Sequence, residues 1–381
     1  TIIVNKPAVE NEGIGTTATL LNLSNNLYLQ DLTLQNALEY YKSGSAGRAV
    51  CLQDRGTQTI CKNVKMLSYQ DTYYSNEPNG KGQFYFEDSE IHGTVDYVCG
   101  GGDVYFNRVL FVNESRKEGE KNGEDVIAAP NSKSEWGYIF KDCTIENKAK
   151  AFSLGRSWNN ITRLTWLNTT VNQKDEILND DTKYAYFTIN AMGDAIADKF
   201  RLDVLKDAEG NVFSPAEKKV VFKNSGATQQ KAEENIILTA EEAATYSLDA
   251  VFGDWKPEVK SAQAAAPAAT LKDGTLSWTG EAKMYLVSKD GKFYALTSEN
   301  SLAVEGEGSF TVRAANEMGG FGRADNSTDT GIENIATSSD VLSTKIYSAD
   351  GVQASKLQRG INIVVKTMTD GSKKTSKVVL K

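Results

Sequence analysis

The chain has 381 residues, of which 40% are hydrophobic and 24% charged, an ordinary balance for a folded protein in water. The length exceeds one ordinary domain, so two or three are expected. The net charge of −8 argues against a nucleic-acid partner, since phosphate contacts need clustered Lys and Arg, and no run of about 18 apolar residues offers a membrane span.

The opening "TIIVNKP" reads as the interior of a strand, so an upstream segment, including any signal peptide, is expected to precede it. Residues 1 to about 175 then carry a loose repeat: "LQDLTL" (29–34), "CKNVKM" (61–66), "FEDSEI" (86–91), "YFNRVL" (105–110), "FKDCTI" (140–145) and "WLNTTV" (166–171). The third position is always Asp or Asn: Asp31, Asn63, Asp88, Asn107, Asp142 and Asn168. These residues tolerate the left-handed backbone region and bond their own main chain, so they suit a sharp corner between two short strands. The apolar residues before and after each corner then point inward. Repeats 19 to 35 residues apart, with variable loops between, predict a parallel β-helix with one coil per repeat.

Residues 176–255 are more polar and include a helix around "LTAEEAATYSL" (238–248), with Thr239 as cap and Glu241 and Glu242 in the first turn. This part is read as a cover on the end of the β-helix, closed by "FGDW". "KSAQAAAPAAT" is a small-residue linker, assigned to 258–270. From 271 to 323 "GTLSWTG", "KMYLVSKDGKFYALT" and "SFTVRAANEMGGFG" alternate apolar and polar residues as strands of a small sandwich. A second linker covers 324–336, and 337–381 forms a terminal β-module with two DG hairpin signals and a basic end. The expected class is therefore all-β: a right-handed parallel β-helix over 1–257, then a β-sandwich and a β-module.

Two acids stand out. Asp71 in "YQDTYY" lies eight residues after the corner Asn63, and Asp96 in "GTVDYV" lies eight after Asp88. Equal offsets on consecutive coils stack the two acids at roughly the 4.8 Å strand spacing. Two carboxyls that close cannot both ionise freely, which leaves a nucleophile beside a general acid. The bland alternative is a turn-forming Asp and a structurally paired Asp.

His92, the single histidine, follows the inward Ile91 and should point outward, and no GxSxG elbow accompanies it. Cys51, Cys61, Cys99 and Cys143 lack metal spacing and read as free and buried, with a disulfide as the alternative. No metal site and no cofactor is expected.

"GRAVCL", "YQDTYY", "GTVDYVCGGG" and "LGRSW" occur in this order, and together they resemble the signature blocks of pectin methylesterases. The resemblance covers residues 1 to about 255 and lacks the family's opening coil. It implies a right-handed parallel β-helix that demethylates polygalacturonan. It also implies Asp96 as nucleophile, Asp71 as general acid and later base, and Gln70 as oxyanion donor. Arg156 would hydrogen-bond and orient the nucleophile, Trp158 would stack on a sugar ring, and Tyr97 would line the same groove.

Arg48 departs from the family, which carries a second glutamine there. Arg48 shares the parity of the inward Val50 and Leu52, so either the strand begins after it or it reaches the acid pair across the coil edge. The second arrangement is the one expected. "CGGGD" also departs and is read as loosening the groove floor.

Two readings compete with the esterase: a non-catalytic surface glycan-binding protein, and a polysaccharide lyase, which would need more carboxylates for calcium. The 271–323 segment resembles a fibronectin type III module through Trp278, Tyr285 and "TVRAANEMGGFG". "QRGINIVVKTMTDGSKKTSKVVLK" resembles the sorting tails of bacterial type IX secretion. A secreted or cell-surface bacterial monomer, with a polysaccharide as its partner, is expected.

Overall fold

A computed structural model describes residues 1–43, 46–180, 184–188, 196–221 and 233–322, and four strands between 341 and 380. Residues 1–328 and 329–381 form two compact units.

The first unit begins as a parallel β-helix with three walls. One wall contains Tyr28–Asn36, Thr59–Leu67, Gln83–Glu87, Asp103–Asn107, Tyr138–Lys141, Ile161–Leu167 and Ile196–Leu202. The second contains Glu90–Gly93, Leu110–Asn113, Thr144–Asn147, Thr169–Val171 and Leu205–Lys206, and joins the first through the two long strands, which run across both. The third contains Leu20–Asn22, Leu52–Asp54, Tyr73–Ser75, Val95–Gly100, Glu124–Pro130 and Ala151–Gly155. Every pairing along these walls is parallel.

The corners are where the repeat puts them, with one exception. Asp31, Asn63, Asp88, Asp142 and Asn168 all take positive φ, between 49° and 55°. In the fourth repeat the corner is Arg108, at φ 55°, and not Asn107. Asn107 pairs with Glu87 and Lys141, one position before the corner. An arginine is held in this costly conformation by charge: Nε donates to Asp88 Oδ1 at 2.8 Å and Nη2 to Glu87 Oε1 at 2.7 Å.

The one-residue slip changes which side chains face inward. Phe106, not Tyr105, continues the interior ladder, with centroid distances of 4.8 Å to Phe86 and 4.7 Å to Phe140; Phe140 lies 3.8 Å from Trp166. Likewise Phe111, not Leu110, aligns with Ile91, Ile145 and Val171 in the core.

Tyr105 faces the other way, in register with Ile60, Tyr85 and Ile139, and these make a second apolar layer on the outside of the first wall. Val251, Phe252 and Trp255 pack onto that layer. The closing segment therefore covers the flank of the β-helix, because the outward residues of this wall are apolar and need a lid. Its helix is Ala240–Ala244, opened by Thr239 and Glu242 in a reciprocal capping box, and Leu248–Phe252 follows.

Downstream, a short helix Pro257–Lys260 occupies the start of the linker segment, and the Ser261 carbonyl accepts from Lys62 Nζ and Asn316 Nδ2. Two three-stranded antiparallel sheets follow: Ala269–Lys272, Thr275–Trp278 and Ser301–Ala303 in one, and Tyr285–Lys289, Lys292–Thr297 and Phe310–Ala314 in the other. They enclose Leu276, Trp278, Tyr285, Val287 and Val312. The second unit is one antiparallel sheet of Val341–Ser348, Gln353–Ala354, Gly360–Met368 and Lys373–Leu380. The linker read over 324–336 and both DG turns lie outside the described residues.

His92 does face outward, but into an ionic clamp. Nδ1 lies 2.7 Å from Glu114 and Nε2 2.5 Å from Glu90, while Lys65 and Lys148 flank the two acids. Burial opposes the charge on the ring, but its bonds and proximity to the two carboxylates outweigh this, and its pKa rises above the ordinary histidine value. The folded chain thus binds the proton more tightly than the unfolded one. The stabilisation is complete below the unfolded pKa and is lost as pH rises through the folded one. Urea unfolding of the parent should show this decline above neutral pH, and His92→Gln should flatten it.

Candidate active site

The third wall carries both acids at its entry corner. Asp71 and Asp96 take φ of 60° and 50°, the left-handed conformation that Asp accepts more readily than most residues. Tyr73 pairs with Val98, which sets Asp71 beside Asp96 on adjacent coils. The equal offset from the preceding corners therefore does stack the pair. Both residues are only 5% exposed.

Their surroundings separate them. Arg156 grips Asp96 with two parallel bonds, Nε to Oδ1 at 2.9 Å and Nη2 to Oδ2 at 2.6 Å. Its own backbone N–H is anchored on the Ala128 carbonyl of the neighbouring coil. Asp71 has no such cation. Burial, and then the charge of Asp96, push its carboxyl well above the usual range, against a smaller downward pull from Arg48 and Arg156. Beneath it lies the buried Cys99, whose thiol is 4.0 Å from Oδ1. The pair thus presents a guanidinium-bound carboxylate beside a carboxyl that favours its proton.

Gln70 adjoins Asp71 and is bridged through its main chain to Arg48 and Ala49. Its side-chain amide makes no bond to the protein among the described residues, so both N–H groups are available for a ligand. Trp158 sits on the outer surface with its ring 6.1 Å from Tyr74. Just before Gln70 in the chain, Tyr69 stacks on Tyr40 at 4.3 Å, with Tyr41 edge-on to both. Tyr40 and Tyr41 had a visible signal in "EYYKSG", but nothing in the sequence tied that stretch to this wall.

Two expected placements differ. Tyr97 is fully buried, with its hydroxyl donating to Asn113 Oδ1 at 2.9 Å. The left-handed corner at Asp96 sends that carboxylate out and the next side chain into the core, so Tyr97 supports the wall from behind and does not line a groove. Arg48 does not reach across to bond the acids. The regular strand begins only at Leu52, and the guanidinium bonds Glu12 instead, Nε to Oε2 at 3.0 Å and Nη2 to Oε1 at 2.8 Å. The Arg48 backbone N–H donates to the same carboxylate at 2.8 Å. Glu12 satisfies the cation that a buried parity would have left unpaired. Arg48 stays close enough to Asp71 for the two charges to interact.

No cluster of three or more metal-ligating side chains occurs among the described residues. No helix among them is long and apolar enough to cross a membrane.

Residues 1–179 match the family model described as Pectinesterase. Pectinesterase B of Pectobacterium parmentieri is 29% identical over 164 residues, covering 39% of this chain and 40% of that protein. Pectinesterase B of Dickeya dadantii is 31% identical over 156 residues, covering 37% of this chain and 35% of that one. The chain spans about two fifths or less of the length of these relatives. Among solved structures, the pectin methylesterase PemA from Erwinia chrysanthemi aligns at 23% identity with a TM-score of 0.45, over 67% of this chain and 80% of that one. The segment that matches the Pectinesterase model, residues 1–179, contains both acids, Arg156 and most coils of the parallel β-helix.

Proposed function

We propose that the β-helical part of this chain hydrolyses methyl esters of polygalacturonate, releasing methanol and leaving a free carboxylate. The observation that carries the reading is the corner pair: one acid held by Arg156, the other buried and proton-favouring, side by side on an outer wall.

The chemistry follows from these environments. An Asp96 oxygen attacks the ester carbonyl carbon, and the oxygen that gains the electron pair accepts hydrogen bonds from the Gln70 amide. The intermediate collapses, the bond to the methoxy oxygen breaks, and Asp71 gives its proton so that methanol leaves. Asp71, now a carboxylate, takes a proton from water. The resulting hydroxide equivalent attacks the acyl group and frees Asp96, which restores both residues. Trp158 offers a face for a sugar ring.

The deciding assay is methanol release from highly methylated pectin, with and without a chelator. Methanol production that the chelator leaves unchanged is expected. A folded protein that binds the polymer without releasing methanol would leave the glycan-binding reading, and an unsaturated product absorbing in the ultraviolet would mean a lyase.

Arg48 and Glu12 give a sharper check. Arg48 lowers the Asp71 pKa and Glu12 raises it. In this mechanism the first chemical step needs protonated Asp71, so the alkaline limb of kcat/KM should follow that group. Arg48→Gln is expected to move the limb upward and raise turnover near neutral pH. Glu12→Gln, which removes the opposing charge and releases the guanidinium, should move it down. Shifts in the same direction for both variants would remove Asp71 from the role.

The substrate also bears on location. An intact polymer is too large to import, so we place the enzyme outside the cell or on its surface, with the sheet of 341–380 as a sorting module and the 269–314 sandwich as a fibronectin type III-like spacer. Fractionation of the native cell that finds the protein in the cytoplasm with this tail intact would oppose that placement.

A further inference from the structure

We propose that the first wall of the β-helix is a docking surface for the antiparallel sandwich, and that the turn 315–322 clasps the two into one cooperatively folded body. Both belong to the first compact unit of the chain. The Ala- and Ser-rich composition of 258–270 reads as a free linker, which would let the sandwich tumble on its own. The structure pins that segment instead. Pro257 is buried, Ser261 is 1% exposed, and Ala264 packs against the sandwich core.

Asn316 is the hub of the clasp. Its Oδ1 accepts from the backbone N–H groups of Met318 at 3.0 Å and Gly320 at 2.8 Å, which shapes the turn. Its Nδ2 donates to the Tyr28 hydroxyl and to the Ser261 carbonyl, each at 3.2 Å. The side chain therefore bonds its own turn, the β-helix and the connecting segment at once. Ser261 completes the joint, because the same carbonyl accepts from Lys62 Nζ at 3.0 Å. Burial pushes the Tyr28 hydroxyl up to about 12, against a smaller downward pull from its bond with Asn316.

Packing adds to the bonds. Tyr28 and Met318 both lie against the apolar layer of Ile60, Tyr85, Tyr105 and Ile139, the layer that Phe252 and Trp255 also cover. The closing segment and the clasp thus share the work of lidding the outward face of the first wall. The approach is close enough to require glycine. A Cβ on Gly320 would stand 2.2 Å from Gln30 Oε1 and 2.6 Å from the Tyr28 ring, and one on Gly322 would stand 2.2 Å from Gln263. Gln30 Nε2 also donates to the Phe321 carbonyl at 3.4 Å, and Lys260 lies 3.5 Å from Glu317. On the sandwich side, Arg313 Nη1 donates to the Gly322 carbonyl at 3.1 Å, which fixes the turn to its own sheet. Opening the joint would strip cover from the wall, so the sandwich and the β-helix stabilise each other.

The test is tryptic cleavage of the full chain after Lys260, followed by mass spectrometry. The parent should resist the cut, because the bond adjoins the buried Ser261. Gly320→Val drives a side chain into Tyr28 and Gln30 only if the two parts are docked, and it should speed the cut about tenfold as the open population grows. Tyr28→Phe and Asn316→Ala approach the same bond from either side. Each should speed the cut severalfold, and the double variant should be no faster than Asn316→Ala alone. Rapid cleavage of the parent, an unchanged rate in Gly320→Val, or effects that multiply in the double variant would each overturn the clasp and leave a tethered sandwich. Either result leaves the esterase reading as it stands, since none of these residues belongs to the acid wall.

Discussion

Asp96→Asn is expected to reduce methanol release from pectin by roughly a thousandfold or more, the scale seen when a nucleophile is removed. An amide oxygen bonded to Arg156 is a far weaker nucleophile than the carboxylate it replaces. The fold should survive, for two local reasons. Asparagine accepts the φ of 50° at this corner as readily as aspartate does. One side-chain oxygen also remains for the Arg156 fork, so that guanidinium keeps a partner. Thermal unfolding within a few degrees of the parent would verify the second point. Methanol release at near the parental rate in a folded variant would end the assignment of Asp96.

Asp71→Asn should lose activity almost as fully, but with a different signature. The residue has no bonding role in the first step except to give up a proton, which an amide cannot do. The alkaline limb of kcat/KM that reports the raised Asp71 pKa should vanish from whatever activity remains. Stability should move the other way. A carboxyl with its folded pKa above its unfolded one stabilises the fold fully below the unfolded pKa, and loses that contribution as pH rises through the folded pKa. Replacing it with a neutral amide removes this dependence, so the variant should be at least as stable as the parent near neutral pH. Denaturant midpoints against pH measure this directly. A variant that is both inactive and markedly less stable would mean that Asp71 is structural.

The β-helix was legible because its corners need a backbone conformation that few residues accept, and five of the six expected positions take it. The sixth slipped because Arg108 occupies a corner on the strength of two acidic neighbours, a compensation that only the folded coil reveals. The acid pair was legible for the same reason as the corners, since both sit at fixed offsets from them. Glu12 was not, because it lies 36 residues before Arg48 in an irregular segment, and no periodicity relates the two. Tyr97 was misplaced by reading a groove residue where the chain direction had just reversed its facing.

The four cysteines have a consequence for how this molecule fails. Cys51, Cys61, Cys99 and Cys143 are free and at most 1% exposed. Burial pushes the thiols of Cys51 and Cys143 up to about 12, and those of Cys61 and Cys99 well above the ordinary value. Inside the coils they are inert, because the thiolate is the reactive form. Once the coils open, the same four groups return to ordinary acidity and meet one another and any oxidant. In an oxidising buffer, a long-lived open state would let these thiols form disulfides that the native coils do not contain. Durability in that setting is set by the opening rate, and a reductant should restore reversibility that an oxidising buffer takes away.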